Sequence, residues 1–122
     1  MPSRQTVQAF IAMVEQGHYV EAIEQFYAPE ASMRENSQPP RSGRDTLVTY
    51  ERAVIAACRA MRTLPVESFL VDGDFVVIHW VFEFTRHSGK TMRIDELAHQ
   101  RWDGEKIVEV RCFYDPVAAV AE

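Results

Sequence analysis

The chain has few cysteines and no motif that would turn them into a metal or redox site. Its 122 residues contain two, Cys58 and Cys112, which are far apart and match no C-x-x-C spacing. Because both have apolar neighbours, we expect small buried hydrophobes and no disulfide. No apolar run approaches the roughly 20 residues of a membrane span, and no signal-peptide pattern precedes the first predicted helix. We therefore expect a protein of the reducing cytoplasm with no membrane partner.

Basic residues are also fewer than acidic residues. Lys and Arg number 13 against 18 Asp and Glu, which gives a formal net charge of −5 at pH 7. Nucleic-acid binding normally requires a basic patch, so we expect no nucleic-acid partner. The Arg52, Arg59 and Arg62 cluster lies on a predicted helix that also carries Glu51, and we interpret it as a solvated helix face.

Apolar residues recur at spacings of three and four in the first half of the chain, which is typical of amphipathic helices. Ser3 or Thr6 can cap the first helix, Pro29 stops the second, and Asp45 can cap the third. The third helix is rich in Ala, and its apolar stripe includes Cys58 and Met61. The predicted helices are Thr6–Glu15, Tyr19 to Tyr27, and Thr46 to Arg62.

The rest of the chain favours strands. Their joints are short and contain glycine, as in β-hairpins, so consecutive strands should be antiparallel neighbours. Helices that precede an antiparallel sheet pack on one of its faces, which makes the fold class α+β. A curved sheet around these helices would enclose a conical cavity. The predicted strands are a short one at Ala31–Glu35, then Val66–Val71, Phe75–Arg86, Thr91–Trp102 and Lys106–Tyr114, with a turn-rich loop at Asn36–Gly43.

Four segments occur in the order found in a known superfamily. They are F-Y-A-P-E-A-S at Phe26–Ser32, S-G-R-D at Ser42–Asp45, W-D-G-E-K-I at Trp102–Ile107 and F-Y-D-P at Phe113–Pro116. With the order of helices and strands, these motifs make the chain resemble the nuclear transport factor 2-like superfamily, in particular its SnoaL-like (polyketide cyclase-like) branch. The resemblance extends over nearly the whole chain.

The resemblance implies one SnoaL-like domain over residues 1–122, with a cystatin-like α+β barrel. In such a barrel a cone-shaped, curved antiparallel sheet packs on three N-terminal helices. It also implies a homodimer formed through the sheet and a deep pocket for a small hydrophobic molecule. Characterised relatives such as ketosteroid isomerase and scytalone dehydratase mostly use a carboxylate or His as acid or base, without a metal or organic cofactor. The Asp–Tyr–Asp trio of ketosteroid isomerase has no counterpart that the sequence identifies.

Ionisable side chains interrupt the apolar strands. The segment Asp74–Arg86 is nearly all strand formers, yet it contains His79 and Glu83. Such groups cost free energy in a buried strand unless they are paired or face a polar hollow, so the pattern predicts a pocket. Side chains alternate along a strand, which puts Glu96 on the face opposite Asp95. Because both faces of the sheet are partly apolar, alternation leaves open which one faces the pocket.

Three residues are candidates for catalysis. Glu96 lies mid-strand between apolar neighbours, where burial would raise its pKa and suit it to general-base chemistry. Arg111 could stabilise a developing oxyanion, although a structural ion pair with Glu96 is the alternative. Glu35 ends the first strand beside the turn-rich loop, and a solvated strand end is its alternative interpretation.

The candidates for ligand binding are aromatic, apolar or amide side chains. For most of them a plain core or interface role is the alternative, and His79 in particular could lie against a dimer partner. His79, His99 and Glu83 lack tight metal-ligand spacing, so we expect no metal site. The candidates are Tyr27, Met33, Asn36, Tyr50, His79, Trp80, Gln100 and Phe113.

Two functions are consistent with the sequence. The first is a cofactor-free acid/base enzyme, an isomerase, cyclase, dehydratase or hydrolase, that acts on a small hydrophobic substrate. The second is a non-catalytic ligand-binding or dimerisation module in which Glu96, Arg111 and His79 form a structural polar network. An open cavity with Glu96 facing inward favours the enzyme, and a Glu96–Arg111 pair in a closed core favours the module.

Overall fold

The structure is a computed structural model that describes residues 1–117. No helix in this range is long and apolar enough to cross a membrane. The Ala-rich tail that completes the expected domain lies outside the described residues. The elements are α1 (Arg4–Glu15), α2 (Tyr19–Phe26), β1 (Tyr27–Glu35), β2 (Arg41–Ser42), α3 (Arg44–Ala56), β3 (Cys58–Thr63), β4 (Phe69–Asp72), β5 (Phe75–Arg86), β6 (Thr91–Asp103) and β7 (Lys106–Tyr114).

The first helix forms as its periodicity predicts. The Ser3 side chain caps it by accepting a hydrogen bond from the backbone N–H of Thr6 at 3.0 Å, which satisfies one of the free donors at a helix start. Its apolar stripe is buried, and the ring of Phe10 meets Trp80 and Trp102 edge-on at centroid distances of 6.1 and 6.2 Å. The helix is thereby held against the sheet.

All seven strands belong to one sheet, in the order β2-β1-β7-β6-β5-β3, with β4 also paired to β5. The predicted antiparallel meander is confirmed from β4 to β7. However, β1 runs parallel to β7, so the sheet is mixed and not purely antiparallel. The sheet is strongly curled around the three helices and forms a half-barrel, which confirms the predicted cone-shaped α+β class.

The third helix is shorter than predicted. It ends at Ala56, and the segment that was expected to continue it forms β3 along the edge of β5. The physical reason is that β4 pairs only with the first part of β5, which leaves backbone groups free from Phe82 onward. Satisfying this ladder outweighs the helix propensity of the segment, which is high but contributes less than about 1 kcal/mol per residue. Arg59 and Arg62 therefore lie on a strand, and Arg62 pairs with Glu83 at 2.7 Å.

The concave face of the sheet is the face that packs on the helices. Val76, Ile78 and Trp80 on β5 are at most 4% exposed, and Gln100 on β6 is 1% exposed. The three β5 residues form one alternating set, and Gln100 lies on the same face because it pairs with Val76. The alternation therefore holds along β5 and β6, and Glu96 lies on the concave side because its register partner is Trp80.

In β7 a bulge changes the predicted alternation. Arg101 pairs with Glu109 and Trp102 pairs with Ile107, so Val108 is an extra residue in the ladder. Ile107 therefore joins the concave face and is fully buried, whereas unbroken alternation would put it on the opposite face with Glu109. An extra residue in one strand reverses the facing of what precedes it.

Candidate functional site

A cavity of about 150 Å³ lies between the helices and the concave face of the sheet. Its walls are mainly apolar and aromatic, and they include Phe10, Val14, Met33, Trp80, Phe82 and Phe84. Its polar groups are Tyr19, Tyr27, Glu35, Tyr50, Glu51, Glu96, Gln100 and Cys112. An apolar pocket with a few converging polar groups is the usual form of a small-molecule site.

Glu96 is the central ionisable group of this cavity. It lies on β6 between Trp80 of β5 and Tyr114 of β7. Burial raises its pKa to about 7, a hydrogen bond from Cys112 acts in the opposite direction, and the charges of Glu35 and Glu51 raise it further. A carboxyl group with this pKa can both accept and donate a proton near neutral pH, which is the requirement for general acid/base chemistry.

Cys112 is a buried thiol beside Glu96. It lies on β7 opposite Ala98, one inward-facing position along from Glu96. Burial raises the pKa of its thiol well above the usual value, and the Glu96 carboxylate adds to this effect. The thiol is therefore protonated at neutral pH, and as a potential donor beside Glu96 it lowers the pKa of that carboxyl. It does not have the lowered pKa of a reactive cysteine.

Glu51 is a third carboxyl in the cavity, and the sequence analysis did not identify it. It projects from α3, and burial followed by the charge of Glu35 raises its pKa. The sequence interpretation as part of a solvated helix face is therefore corrected. A signal was present, because Glu51 follows buried Leu47 by four residues and precedes Val54, another cavity residue, by three. Those spacings put it on the inward face of the helix.

Glu35 reaches the cavity from the end of β1 and has its own cation. Its carboxylate pairs with Arg41 at 3.6 Å, and the Arg41 guanidinium lies 3.5 Å from the ring centroid of Tyr50. Burial, and after it the charge of Glu35, raises the pKa of the nearby Tyr114 hydroxyl. Glu35 is thus the carboxylate whose charge the protein itself balances.

Hydrogen bonds fix two further polar groups of the cavity. The hydroxyl groups of Tyr19 and Thr63 are 2.9 Å apart, and this bond ties α2 to β3. The side-chain oxygen of Gln100 accepts from the indole N–H of Trp102 at 3.0 Å. Both pairs are at least partly buried, so these groups hold the walls in place and leave the carboxyls as the reactive elements.

The structure brings together most of the residues that the sequence nominated, but not all of them. Those that line the cavity are Glu35 and Glu96 among the catalytic candidates, and Tyr27, Met33, Tyr50, Trp80 and Gln100 among the binding candidates. Those that do not line it are Arg111, Asn36, His79 and Phe113. Their placement follows from strand alternation and from the hydrogen bonds and ring contacts of their side chains.

Arg111 lies on the convex face of the sheet. Its neighbours Val110 and Cys112 are buried on the concave side, so its own side chain points away from the cavity. Its Nε donates to the backbone oxygen of Asn36 at 3.0 Å, and its guanidinium lies 4.7 Å from the ring centroid of Phe113. The predicted pairing of Arg111 with the Glu96 site is therefore corrected. Phe113 shares that face and is 44% exposed.

His79 and Asn36 also have structural partners. The Nε2 of His79 is 2.9 Å from a carboxylate oxygen of Asp95 on the convex face. The side-chain oxygen of Asn36 accepts a hydrogen bond from the backbone N–H of Tyr114. The backbone N–H of Asn36 donates to the carbonyl oxygen of Cys112. Asn36 therefore joins the end of β1 to the end of β7 and does not face a ligand.

No group of three or more His, Cys, Asp or Glu side chains within residues 1–117 is arranged to hold a metal ion. The three cavity carboxyls, Glu35, Glu51 and Glu96, influence one another through space but do not converge as ligands of one small ion. The site as described is built from protein groups that exchange protons and donate hydrogen bonds.

Comparison with known proteins was consistent with this geometry. A family model described as the SnoaL-like domain matches residues 7–110. The chain belongs to this family. No curated protein matches the SnoaL-like chain significantly. The match to the family model confirms the resemblance expected from the sequence motifs.

Solved structures share the fold of this SnoaL-like domain at low sequence identity. An NTF2-like protein of unknown function from Burkholderia pseudomallei has a TM-score of 0.82 and 15% identity, over 95% of this chain and 92% of the other. TerC, co-crystallised with polyporic acid, has a TM-score of 0.79 and 19% identity, over 94% and 92% of the two chains.

A third structure comes from Catenulispora acidiphila. It is a hypothetical protein with a ketosteroid isomerase-like fold in complex with trimethylamine, with a TM-score of 0.81 and 16% identity, over 98% of this chain and 92% of the other. Likeness at this identity establishes the fold and leaves the function to be argued from the site.

Proposed function

We propose that this SnoaL-like domain binds a small, mainly apolar molecule in the cavity and catalyses a cofactor-free acid/base reaction on it, with Glu96 as the proton-transfer group. The observation that carries the proposal is the burial of Glu96 in an aromatic cavity, which raises its pKa to about 7. Catalytic acids and bases work best when their pKa lies near the working pH, and strongly shifted groups in clefts are typical of active sites.

Membership of the SnoaL-like family supports a small-molecule role. TerC was co-crystallised with polyporic acid, and the Catenulispora acidiphila protein was solved with trimethylamine. The cavity of about 150 Å³ lies below the usual range for drug-sized ligands. An apolar cavity of similar size in another protein holds one benzene molecule. We therefore infer a substrate of about one ring.

The reaction class follows from the groups present. Glu96 would remove a proton next to a carbonyl group or return one to the product, as in an isomerisation, cyclisation or dehydration. The developing oxyanion needs a donor, and Arg111 cannot provide it from the convex face. We assign that role to a tyrosine hydroxyl in the cavity, Tyr27 or Tyr50.

The alternative is a module that binds without catalysis. It would be favoured by a Glu96–Arg111 pair in a closed core. In the structure Glu96 lines an open cavity and Arg111 bonds to Asn36 on the other side of the sheet. This arrangement supports the enzyme more than the module.

We also propose a homodimer in which the convex faces of two sheets meet. Leu70, Phe75, Leu97 and Phe113 are large apolar residues on exposed positions, between 44% and 66% exposed. All four belong to the convex side, because their strand neighbours pack on the core. Large exposed apolar residues on one face are typical of an association surface, and a self-complementary surface suits a two-fold dimer.

Deuterium exchange tests the catalytic proposal without knowledge of the natural substrate. One-ring ketones such as cyclohexanone and acetophenone are incubated with the protein in deuterium oxide, and loss of the proton next to the carbonyl is followed by NMR. We expect the wild-type protein to accelerate exchange and Glu96→Gln to abolish the acceleration. Glu109→Gln, an exposed carboxylate on β7, is the matched control and should exchange like wild type. Equal exchange by wild type and Glu96→Gln contradicts the proposal.

A further inference from the structure

We propose that the cavity selects a small organic cation, whose positive centre lies between the carboxylates of Glu51 and Glu96 and whose apolar part contacts the aromatic walls. This inference rests on the proposed small-molecule function and adds the charge of the ligand to it. It predicts an amine or a quaternary ammonium compound of about one ring as the preferred class.

The first step in the argument is the charge of the cavity lining. It contains three carboxyl groups and no Lys, Arg or His from residues 1–117. Arg41 balances only Glu35, at 3.6 Å. Glu51 and Glu96 form no ion pair with a cation in the described part of the chain. A buried carboxylate without a cation costs free energy. A ligand that supplies the positive charge should therefore bind more tightly than an uncharged ligand of the same shape.

A second and independent observation is the hydroxyl of Tyr27. Tyr27 is 3% exposed and lines the cavity, yet its hydroxyl has no hydrogen-bond partner among residues 1–117. No buried side-chain polar atom in the described residues lacks a partner, so the Tyr27 hydroxyl is accessible from the cavity and can bond to a ligand. The hydroxyl lies within the electrostatic influence of Glu51, Glu96 and Cys112. The N–H of a protonated amine at this point could donate to the Tyr27 hydroxyl oxygen, and a quaternary ammonium group could contact the ring of Tyr27, each beside the two carboxylates.

The geometry favours an organic cation over a metal ion. The carboxyls are too dispersed to coordinate one ion, since no metal-binding cluster occurs within the described residues. An alkylammonium group is larger and needs no short coordination bonds. The rings of Tyr27 and Trp80 also border the cavity, and aromatic rings attract such cations.

Cation binding should be linked to proton release. The groups that face Glu96 are Glu35 and Tyr27 from β1, Glu51 from α3, and Cys112 and Tyr114 from β7. A positive charge beside Glu96 favours its ionised form. Because its pKa is about 7 without ligand, affinity for a permanent cation should rise about tenfold between about pH 6 and pH 8.

The test compares phenyltrimethylammonium with its uncharged isostere tert-butylbenzene, in which carbon replaces the charged nitrogen. Binding is measured by Trp fluorescence and NMR titration on wild type, Glu96→Gln, Glu51→Gln and the exposed control Glu109→Gln. We expect the cation to bind at least tenfold more tightly than the isostere at about pH 8 in wild type and in Glu109→Gln. The preference should fall severalfold in Glu51→Gln and in Glu96→Gln, and in Glu96→Gln the pH dependence should be lost.

Each other outcome overturns the inference in a distinguishable way. If the isostere binds as tightly as the cation, the charge preference is contradicted while the ligand cavity of the proposed function stands. If neither compound binds, both proposals fail together. If the cation binds with unchanged affinity to both Gln variants, its site lies elsewhere and the assignment to this cavity is refuted.

Discussion

The Cys112 thiol on β7 lies beside the Glu96 carboxyl on β6 and holds the pKa of that carboxyl down, and both side chains face the same cavity. Burial acts on Glu96 in one direction and this donor acts in the other. The protonation state of Glu96 therefore depends on its burial, on the Cys112 thiol and on the charges of Glu35 and Glu51. A substitution that changes one of these contributions should move the pKa of Glu96 in a known direction.

Replacing Cys112 should change the pKa of Glu96. Cys112→Ala removes a donor to the carboxylate, so the pKa of Glu96 should rise above its wild-type value of about 7. Cys112→Ser supplies a stronger donor and should lower it. The carboxyl-carbon NMR titration of Glu96 measures both shifts. Cys58→Ala, on β3 and outside the cavity lining, is the control and should leave the pKa unchanged. A Glu96 pKa that is the same in Cys112→Ala and wild type would refute the contact.

Glu96 should lower the free energy of unfolding as the pH rises. Its pKa is about 7 in the folded state against 4.5 as the unperturbed value, so the folded protein holds the proton more tightly than the unfolded chain. Below pH 4.5 Glu96 is neutral in both states and does not oppose folding. As the pH rises from 4.5 toward 7 the free energy of unfolding decreases, and above pH 7 this decrease levels off. Glu96→Gln mimics the neutral acid and removes this loss.

The measurement is urea unfolding of wild type and Glu96→Gln at two pH values. The two proteins should be about equally stable at about pH 4.5, and the variant should be more stable by up to about 3 kcal/mol at about pH 8. Glu109→Gln should show no such divergence, because Glu109 is exposed. A stability difference for Glu96→Gln that is the same at both pH values is the contrary result.

The bond between Tyr19 and Thr63 should stabilise the wall of the cavity. Thr63 is buried at 7% exposure, and its hydroxyl lies 2.9 Å from that of Tyr19. Tyr19→Phe leaves the Thr63 hydroxyl without this partner and should lower the free energy of unfolding by about 1 to 2 kcal/mol. A double-mutant cycle with Thr63→Val checks the coupling. Strictly additive effects of the two substitutions would show that the hydroxyl groups do not interact.

The convex apolar face should hold two copies of the chain together. Leu97→Lys puts a charge in the centre of that face, where Leu97 is 49% exposed, and should convert a dimer into a monomer in sedimentation velocity at micromolar concentration. Ile55→Lys, on α3 at 37% exposure, changes an equally apolar residue outside the face and should leave the dimer intact. A wild-type monomer at the same concentration would contradict the proposed assembly.

Much of the fold was predictable because its local signals agree with its tertiary contacts. The bounds of β5 and β7 coincide with the predicted strands, since turn residues with glycine delimit both. The first helix and its Ser3 cap also follow from the sequence. The error at the end of α3 has a non-local cause, because β3 pairs with β5 residues that lie 19 (Thr63↔Phe82) to 28 (Cys58↔Arg86) positions later in the sequence.

The candidate site was predictable only in part for the same reason. Glu96 could be identified from its apolar neighbours, since the alternation along β6 has no interruption before Arg101. No turn residue occurs at Val108, so the sequence does not predict the bulge there. Glu51 carried a helical spacing that pointed inward, but an acidic residue among arginines is more often solvated. Which face of the sheet the helices cover is set by packing and not by the strands themselves.

The most direct test of the central claim is the titration of Glu96 in the wild-type protein. Its side-chain carboxyl carbon is followed by NMR over the acidic and neutral range, and its resonance is identified by its absence in Glu96→Gln. The account predicts a midpoint near pH 7, because the group is buried in the cavity. A midpoint close to the unperturbed value of 4.5 would contradict both the burial of the charge and the proposed role in proton transfer.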